Sequence, residues 1–335
     1  MLPPPVTIPI AFVQGMVSGV EACGKSRDAF LEDAGIATEL LQQATARVTA
    51  DQYETLFRLL IDRLDDEGLG FLSRPLKRGS FALMTRSAVS AGTLDVAIRR
   101  IAHTFRLLQD DVTLEPVRDR DLAGMALRFT DPLVAHPVFL HELLLRVFWR
   151  LLAWLIGGQL TVTRFNFAFE CPPHIGSYGK VFPAPLVFEQ NESSFWFPVT
   201  RLQDSVHRDE VALRAFLANA QASIILPRRA EDTVAAKVRS YLQQTQPTWP
   251  GLETTADALH QSTSTLQRRL AAEGTTFQSL KDSLRRDIAI SRVSSSAVPL
   301  AKLAFDLGFA DSAAFQRAFK GWTGCAPGTY RRHRP

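Results

Sequence analysis

The chain has 335 residues, 46% of them hydrophobic and 21% charged, with a formal net charge of +4. That length holds two domains of ordinary size, each with its own core, and the composition excludes a disordered or fibrous protein. Three widely spaced cysteines, Cys23, Cys171 and Cys325, argue against a disulfide framework and for a reducing cytoplasm, and no spacing links them to the seven histidines as a metal site.

The charge is unevenly placed. Residues 227–335 carry 16 Lys+Arg against 9 Asp+Glu, net +7, which leaves 22 against 25, net −3, for residues 1–226. A basic module joined to a slightly acidic one suggests a polyanion partner for the first and a different partner for the second. The opening M-L-P-P-P-V-T-I-P lacks the basic-then-apolar pattern of a secretory leader.

In chain order, Pro9 to Cys23 places Val13, Val17 and Val20 on one helical stripe, with Gly15 and Gly19 permitting close approach by a neighbour. Ser26 and Asp28 open a short helix ending near Gly35. Thr49 and Gln52 have the spacing of a capping box, ahead of a stripe of Tyr53, Leu56, Leu60 and Leu64. Thr93 caps a helix whose Leu94, Ile98, Ile101, Phe105 and Leu108 recur at helical spacing. Val112 to Pro116 and Gly124 to Phe129 read as a hairpin around the turn R-D-R-D. Leu160 to Glu170 alternates as a half-buried strand with a slip near Arg164, and Phe182 to Phe188 and Phe195 to Pro198 add two short strands.

Between these strands lies the most apolar stretch, Leu140 to Ile156. Glu142, Arg146 and Arg150 fall four apart on one face, so it reads as an amphipathic helix of a globular fold, since a membrane span needs about 20 nearly charge-free residues. Helices resume over Glu210 to Ile225, residues 226–232 are the linker candidate, and a further helix runs from Ala230 to Gln244.

The last quarter contains an internal repeat. Ala256, Leu259, Leu266 and Leu270 have the pattern of two crossing helices, and Ala304, Leu307, Phe315 and Phe319 repeat it. The outer side of the second helix carries Ser264, Gln267, Arg268 and Ala271 in the first unit, and Ser312, Ala313, Gln316 and Arg317 in the second. Gln pairs bidentately with adenine and Arg with guanine, while Arg also grips phosphate, so which of these reads bases stays open. Between the units Phe277, Leu280, Leu284 and Ile288 mark a helix of about 27 Å, long enough to hold two recognition helices about one DNA turn apart.

This region resembles the DNA-binding domain of the AraC/XylS family of transcription regulators. The likeness rests on R-R-L-A-A-E-G-T-T-F-Q-S-L at 268–280, L-A-F-D-L-G-F-A-D at 303–311, A-F-Q-R-A-F-K-G-W-T-G at 314–324 and A-P-G-T-Y-R-R at 326–332. One departure is the small Ser264, where that family often has a bulky or basic residue. The stretches at 78–99, 141–158 and 182–198 resemble the arabinose-binding-like sensor of one AraC subgroup. The resemblance implies an α+β sensing and dimerising domain over 1–226 and an all-α domain over 227–335 with two helix-turn-helix units joined by a long linker helix. It also implies binding to double-stranded DNA, a small-molecule effector, contact with RNA polymerase, activation rather than repression, and no membrane, cofactor or catalytic role.

Candidate effector residues are His141, Arg146, Phe165 and Phe167. The competing reading is an ordinary core for the histidine and the aromatics, and an enzyme fused to a DNA-binding module is the alternative for the chain. Gly19 to Ser26 fits the phosphate-loop pattern G-x-x-x-x-G-K-[ST]. The segment before it scans as a helix where that loop needs a buried strand, so nucleotide binding is not expected.

Overall fold

In the computed structural model, which describes residues 7–131, 137–158, 160–218, 224–225, 234–273 and 275–332, the amino-terminal valine stripe is the buried face of helix α1 (Ile10–Ala22). Its glycines lie where neighbours come close. A Cβ on Gly15 would sit 2.8 Å from the Cβ of Phe139, and one on Gly19 would run into the carbonyl of Leu69. Gly19→Ala therefore sets a helix-propensity gain of about 1 kcal/mol against an overpacking cost of about 1–3 kcal/mol. A lowered melting temperature is the expected result, and a raised one would show that the contact gives way freely.

Strand β1 (Thr7–Pro9) pairs antiparallel with β2 (Arg47–Thr49). Between them lie α2 (Asp28–Asp33) and the 3-10 helix Thr38–Gln42. The capping box closes as expected at the start of α3 (Ala50–Leu64): the Thr49 amide donates to Gln52 Oε1 (2.9 Å) and the Gln52 amide to Thr49 Oγ1 (3.2 Å). The buried Asp66 accepts from the amides of Gly68, Gly70 and Leu76, which explains an acid inside the following loop. Glu67 accepts from the amides of Gly79 and Phe81 at the start of α4 (Ser80–Val89). Thr93 caps α5 (Leu94–Leu108), which buries Ile98, Ile101 and Phe105.

The hairpin forms and is longer than expected, with β3 (Val112–Asp119) paired to β4 (Leu122–Phe129). With β5 (Arg164–Asn166), β6 (Leu186–Val187) and β7 (Ser193–Pro198) they make a sheet of order β3-β4-β7-β5-β6, in which β5 and β6 are parallel and the other pairs antiparallel. Gly124 pairs with Trp196, where a Cβ would lie 2.5 Å from the Phe195 carbonyl. The eleven-residue strand expected over 160–170 contracts to three residues, and beyond it the Ala168 amide leaves the ladder for Ser193 Oγ (2.9 Å). The slip expected near Arg164 is visible in burial, with Val162, Phe165 and Phe167 inside and Thr161, Thr163 and Ala168 outside.

Helix α6 (Val138–Leu155) departs from its sequence pattern. The face carrying Glu142, Arg146 and Arg150 does not meet water; those residues are 2%, 2% and 8% exposed. The helix is buried on all sides. No helix among the described residues is long and apolar enough to cross a membrane.

Helix α7 (Glu210–Ala218) covers the first part of the expected 210–225 helix, and the linker candidate 226–232 lies outside the described residues. The carboxyl-terminal helices are α8 (Val234–Gln244), α9 (Leu252–Ala258), α10 (Thr263–Ala272), α11 (Phe277–Ser295), α12 (Leu300–Asp306), α13 (Ser312–Thr323) and α14 (Pro327–Arg332).

Two compact units emerge, and neither is continuous in sequence. One comprises Met1–Ala11, Leu31–Tyr53 and Arg229–Pro335, the other Phe12–Phe30 and Glu54–Arg228. In the first unit the β1/β2 pair packs on α11. Thr7 Oγ1 donates to Asp287 Oδ1 (2.6 Å), Arg47 Nε to Thr7 Oγ1 (2.7 Å) and Arg239 Nη2 to Asp287 Oδ2 (3.0 Å), while the Tyr330 hydroxyl donates to the Arg47 carbonyl. Asp287 is buried. The second unit holds the five-stranded sheet and α6.

Candidate functional site

The two carboxyl-terminal repeats fold as helix pairs α9–α10 and α12–α13. Each second helix begins at a side-chain cap: Ser262 accepts from the Thr265 amide (3.2 Å), and Asp311 from the Ala314 amide (2.6 Å). A cap satisfies amides left free in the first turn and fixes where the helix starts, which sets the residues it presents. Leu266 and Leu270 are buried on α10, and Phe315 and Phe319 on α13. Ser264, Gln267 and Arg268 are exposed on α10, as are Ala313, Gln316 and Arg317 on α13; Ser312 is half-buried, its hydroxyl 3.4 Å from Gln316 Nε2. Arg269 and Lys320, which sequence reasoning passed over, are exposed on the same two helices and extend their basic surface.

Helix α11 spans 19 residues, or about 28 Å at 1.5 Å per residue. Leu284 and Ile288 are buried on it and Phe277 and Leu280 half-buried, with Asp287, Ala289, Ile290 and Val293 also buried in its second half. The sequence stripe missed those last four because β1, β2, α8 and α14 close around that half.

Arg285 ties α11 to the second pair. Its guanidinium lies 5.1 Å from the Trp249 ring and 5.3 Å from the Phe309 ring, and Nη2 donates to the Gly308 carbonyl (3.1 Å). Gly308 has φ +70°, and a Cβ there would meet Trp249 at 2.8 Å, so the turn between α12 and α13 admits no side chain without displacement. Arg331 likewise donates to the Val298 carbonyl (2.7 Å). Both arginines hold the helices together.

In the second unit all four effector candidates are buried. His141 Nδ1 lies 2.8 Å from Ser193 Oγ, and its ring stands between Phe129 and Phe169. Phe165 and Phe167 pack into an aromatic cluster with Phe182, the former also edge-on to Trp149. On α6, Glu142 Oε1 accepts from the Tyr178 hydroxyl and lies 3.2 Å from His174 Nε2. Burial and the neighbouring carboxylate push the Tyr178 hydroxyl far above the usual phenol range, so it stays a donor. Arg146 belongs to the same cluster electrostatically. A polar pocket of about 450 Å³ opens elsewhere on the sheet, lined by Arg128, Asn166, Gln190, Asn191, Glu192, Ser194 and Trp196. Its arginine is already paired with Glu115 and Glu192. Gly19 to Ala22 lie inside α1, so the phosphate-loop pattern has a helix where a strand is required.

Residues 24–206 match the family model of the arabinose-binding domain of AraC transcription regulators, and residues 255–333 match a helix-turn-helix domain. The chain belongs to the AraC family of transcription regulators. The Ornithine utilization regulator of Pseudomonas aeruginosa is 27% identical over 325 residues, covering 97% of this chain and 96% of that protein. The regulator VqsM of the same organism is 27% identical over 188 residues, or 55% of this chain and 57% of its own. The crystal structure of CdpR, also from Pseudomonas aeruginosa, covers 98% of this chain and 99% of its own at 19% identity and a TM-score of 0.33. The helix-turn-helix match takes in α10 through α13, and the arabinose-binding match takes in the whole five-stranded sheet.

Proposed function

We propose that this regulator reads double-stranded DNA through α10 and α13 placed in successive major grooves, with Ser264, Gln267 and Arg268 on the first and Ser312, Ala313, Gln316 and Arg317 on the second. The observation that carries the reading is the repeat itself: two capped helices, each burying an apolar side and presenting Gln and Arg at matching positions. An effector bound in the sheet-containing unit controls it through its differential affinity for DNA-competent and incompetent arrangements. The protein acts in the cytoplasm as a non-catalytic activator that contacts RNA polymerase and works as a homodimer.

The test uses a duplex selected by the protein from a random pool, beside the unselected pool. Arg268→Ala or Arg317→Ala is expected to weaken the selected duplex by about 1–3 kcal/mol and leave the pool nearly unchanged where the residue reads a base. Equal loss on both assigns it to phosphate. No loss on either in both variants removes α10 and α13 as the readers. Native mass spectrometry of the purified chain gives the subunit count and any retained small molecule, and turnover of that molecule would overturn the non-catalytic reading.

A further inference from the structure

Three guanidiniums share one carboxylate where the β1/β2 pair meets α11. Thr7 Oγ1, which donates to Asp287 Oδ1, accepts from Arg47 Nε (2.7 Å). Arg239 Nη2 donates to Asp287 Oδ2 (3.0 Å), and Arg286 Nε lies 3.5 Å from Asp287 Oδ1. Arg239 and Arg286 both donate to Ser283 Oγ as well, at 3.0 and 3.2 Å. This chain of contacts joins β2, α11 and α8 inside the first unit. Asp287 is buried, so it offsets one of three positive charges and leaves two in excess.

The excess is felt on β2. Burial, and after it the Arg286 charge, pull the Arg47 guanidinium down to about 10, and Arg286 acts on it more strongly than Asp287 does. Like charges in a half-buried place are poorly screened, and an anion between them removes the repulsion. Two donor ends are open to receive one. Among the described residues no acceptor reaches Nη1 of Arg47 or Nη1 of Arg286, and neither atom is sealed from solvent. A phosphate group suits them: it brings up to about two negative charges, and its several acceptor oxygens take N–H groups from two arginines on different elements. A carboxylate supplies one charge and matches a single fork.

We infer that Arg47 and Arg286 clamp a phosphate group on the half of α11 that carries the small sheet. A small phosphorylated compound and the DNA backbone offer the same chemistry, and the experiment separates them. A phosphate held there bridges β2 to α11, so its binding tightens the packing of β1 and β2 on the linker helix. The clamp stands whether or not the sheet-containing unit binds an effector.

The experiment titrates the full-length protein with sodium phosphate and with pyrophosphate against sodium chloride of matched ionic strength. A site for free phosphate raises the melting midpoint by about 2 °C or more over chloride at about ten times the dissociation constant. It also slows hydrogen exchange at Ile8 and Val48, which pair across β1 and β2. Arg286→Gln weakens phosphate binding by about tenfold or more, and Arg286→Lys, which keeps the charge without the fork, by less. Arg268→Ala on α10 leaves it unchanged, which separates the clamp from the basic surface of the reading helices. Circular dichroism confirms that each variant is folded; if the Gln variant is not, the Lys variant carries the comparison. A site for the DNA backbone gives no shift with either phosphate salt. Arg286→Gln then weakens the selected duplex and the random pool alike and lowers the salt dependence of binding by about one phosphate contact. The proposal is overturned if neither signature is seen, if the phosphate shift persists undiminished in folded Arg286 variants, or if Arg268→Ala loses as much of it as Arg286→Gln.

Discussion

Leu284→Pro is expected to abolish binding to the selected duplex and to destabilise the first unit by about 3 kcal/mol or more. Proline removes the amide that closes a turn of α11, and its ring clashes with the carbonyl of residue 280. Leu284 is fully buried at the middle of the helix that links the two reading pairs, so the break falls where their separation is set. Leu284→Ala separates spacing from packing. It leaves a cavity costing about 2–5 kcal/mol but an unbroken rod, so DNA binding should persist below its lowered melting temperature. Selected-duplex affinity retained by the proline variant would show that a continuous spacer is not required.

Asp287→Ala is expected to cost about 3 kcal/mol in chemical denaturation, as removal of one partner of a buried pair does. The carboxylate accepts from Thr7 and from Arg239, and Arg286 lies within 3.5 Å. Without it the Thr7 hydroxyl and the Arg239 guanidinium lose their common acceptor. The loss should be local as well as global. Hydrogen exchange at Ile8 and Val48, which pair across β1 and β2, should accelerate relative to the core of α13. Asp287→Asn keeps the shape and one acceptor oxygen, and falls between wild type and alanine. Unchanged exchange at Ile8 and Val48 in a destabilised alanine variant would mean that the small sheet is held by other contacts.

The DNA-reading half was legible because its determinants are close in sequence. Ser262 caps its own helix three residues on, and Leu266 with Leu270, or Phe315 with Phe319, mark a buried side at a spacing of four. The same locality made the capping box at Thr49 readable. The sensor core was less legible. Glu142, Arg146 and Arg150 have the spacing of a solvated face, and a helical period reports which residues share a face without saying what covers it. The strand at 160–170 was overread for a related reason: alternation marks which side chains point inward, while the ladder depends on how much of β7 and β6 lies alongside.

By itself, then, the sequence determined the helices, their starts and the duplicated reading unit, since capping and amphipathic periodicity act over a few residues. Only the tertiary structure decided that residues 7–11 and 31–53 pack in one unit with the carboxyl-terminal helices, that Thr7 meets Asp287 across 280 positions, and that the charged side of α6 is sealed from water. Those outcomes depend on which distant surfaces exclude solvent together. Burial is a property of the assembled chain, and no local pattern encodes it.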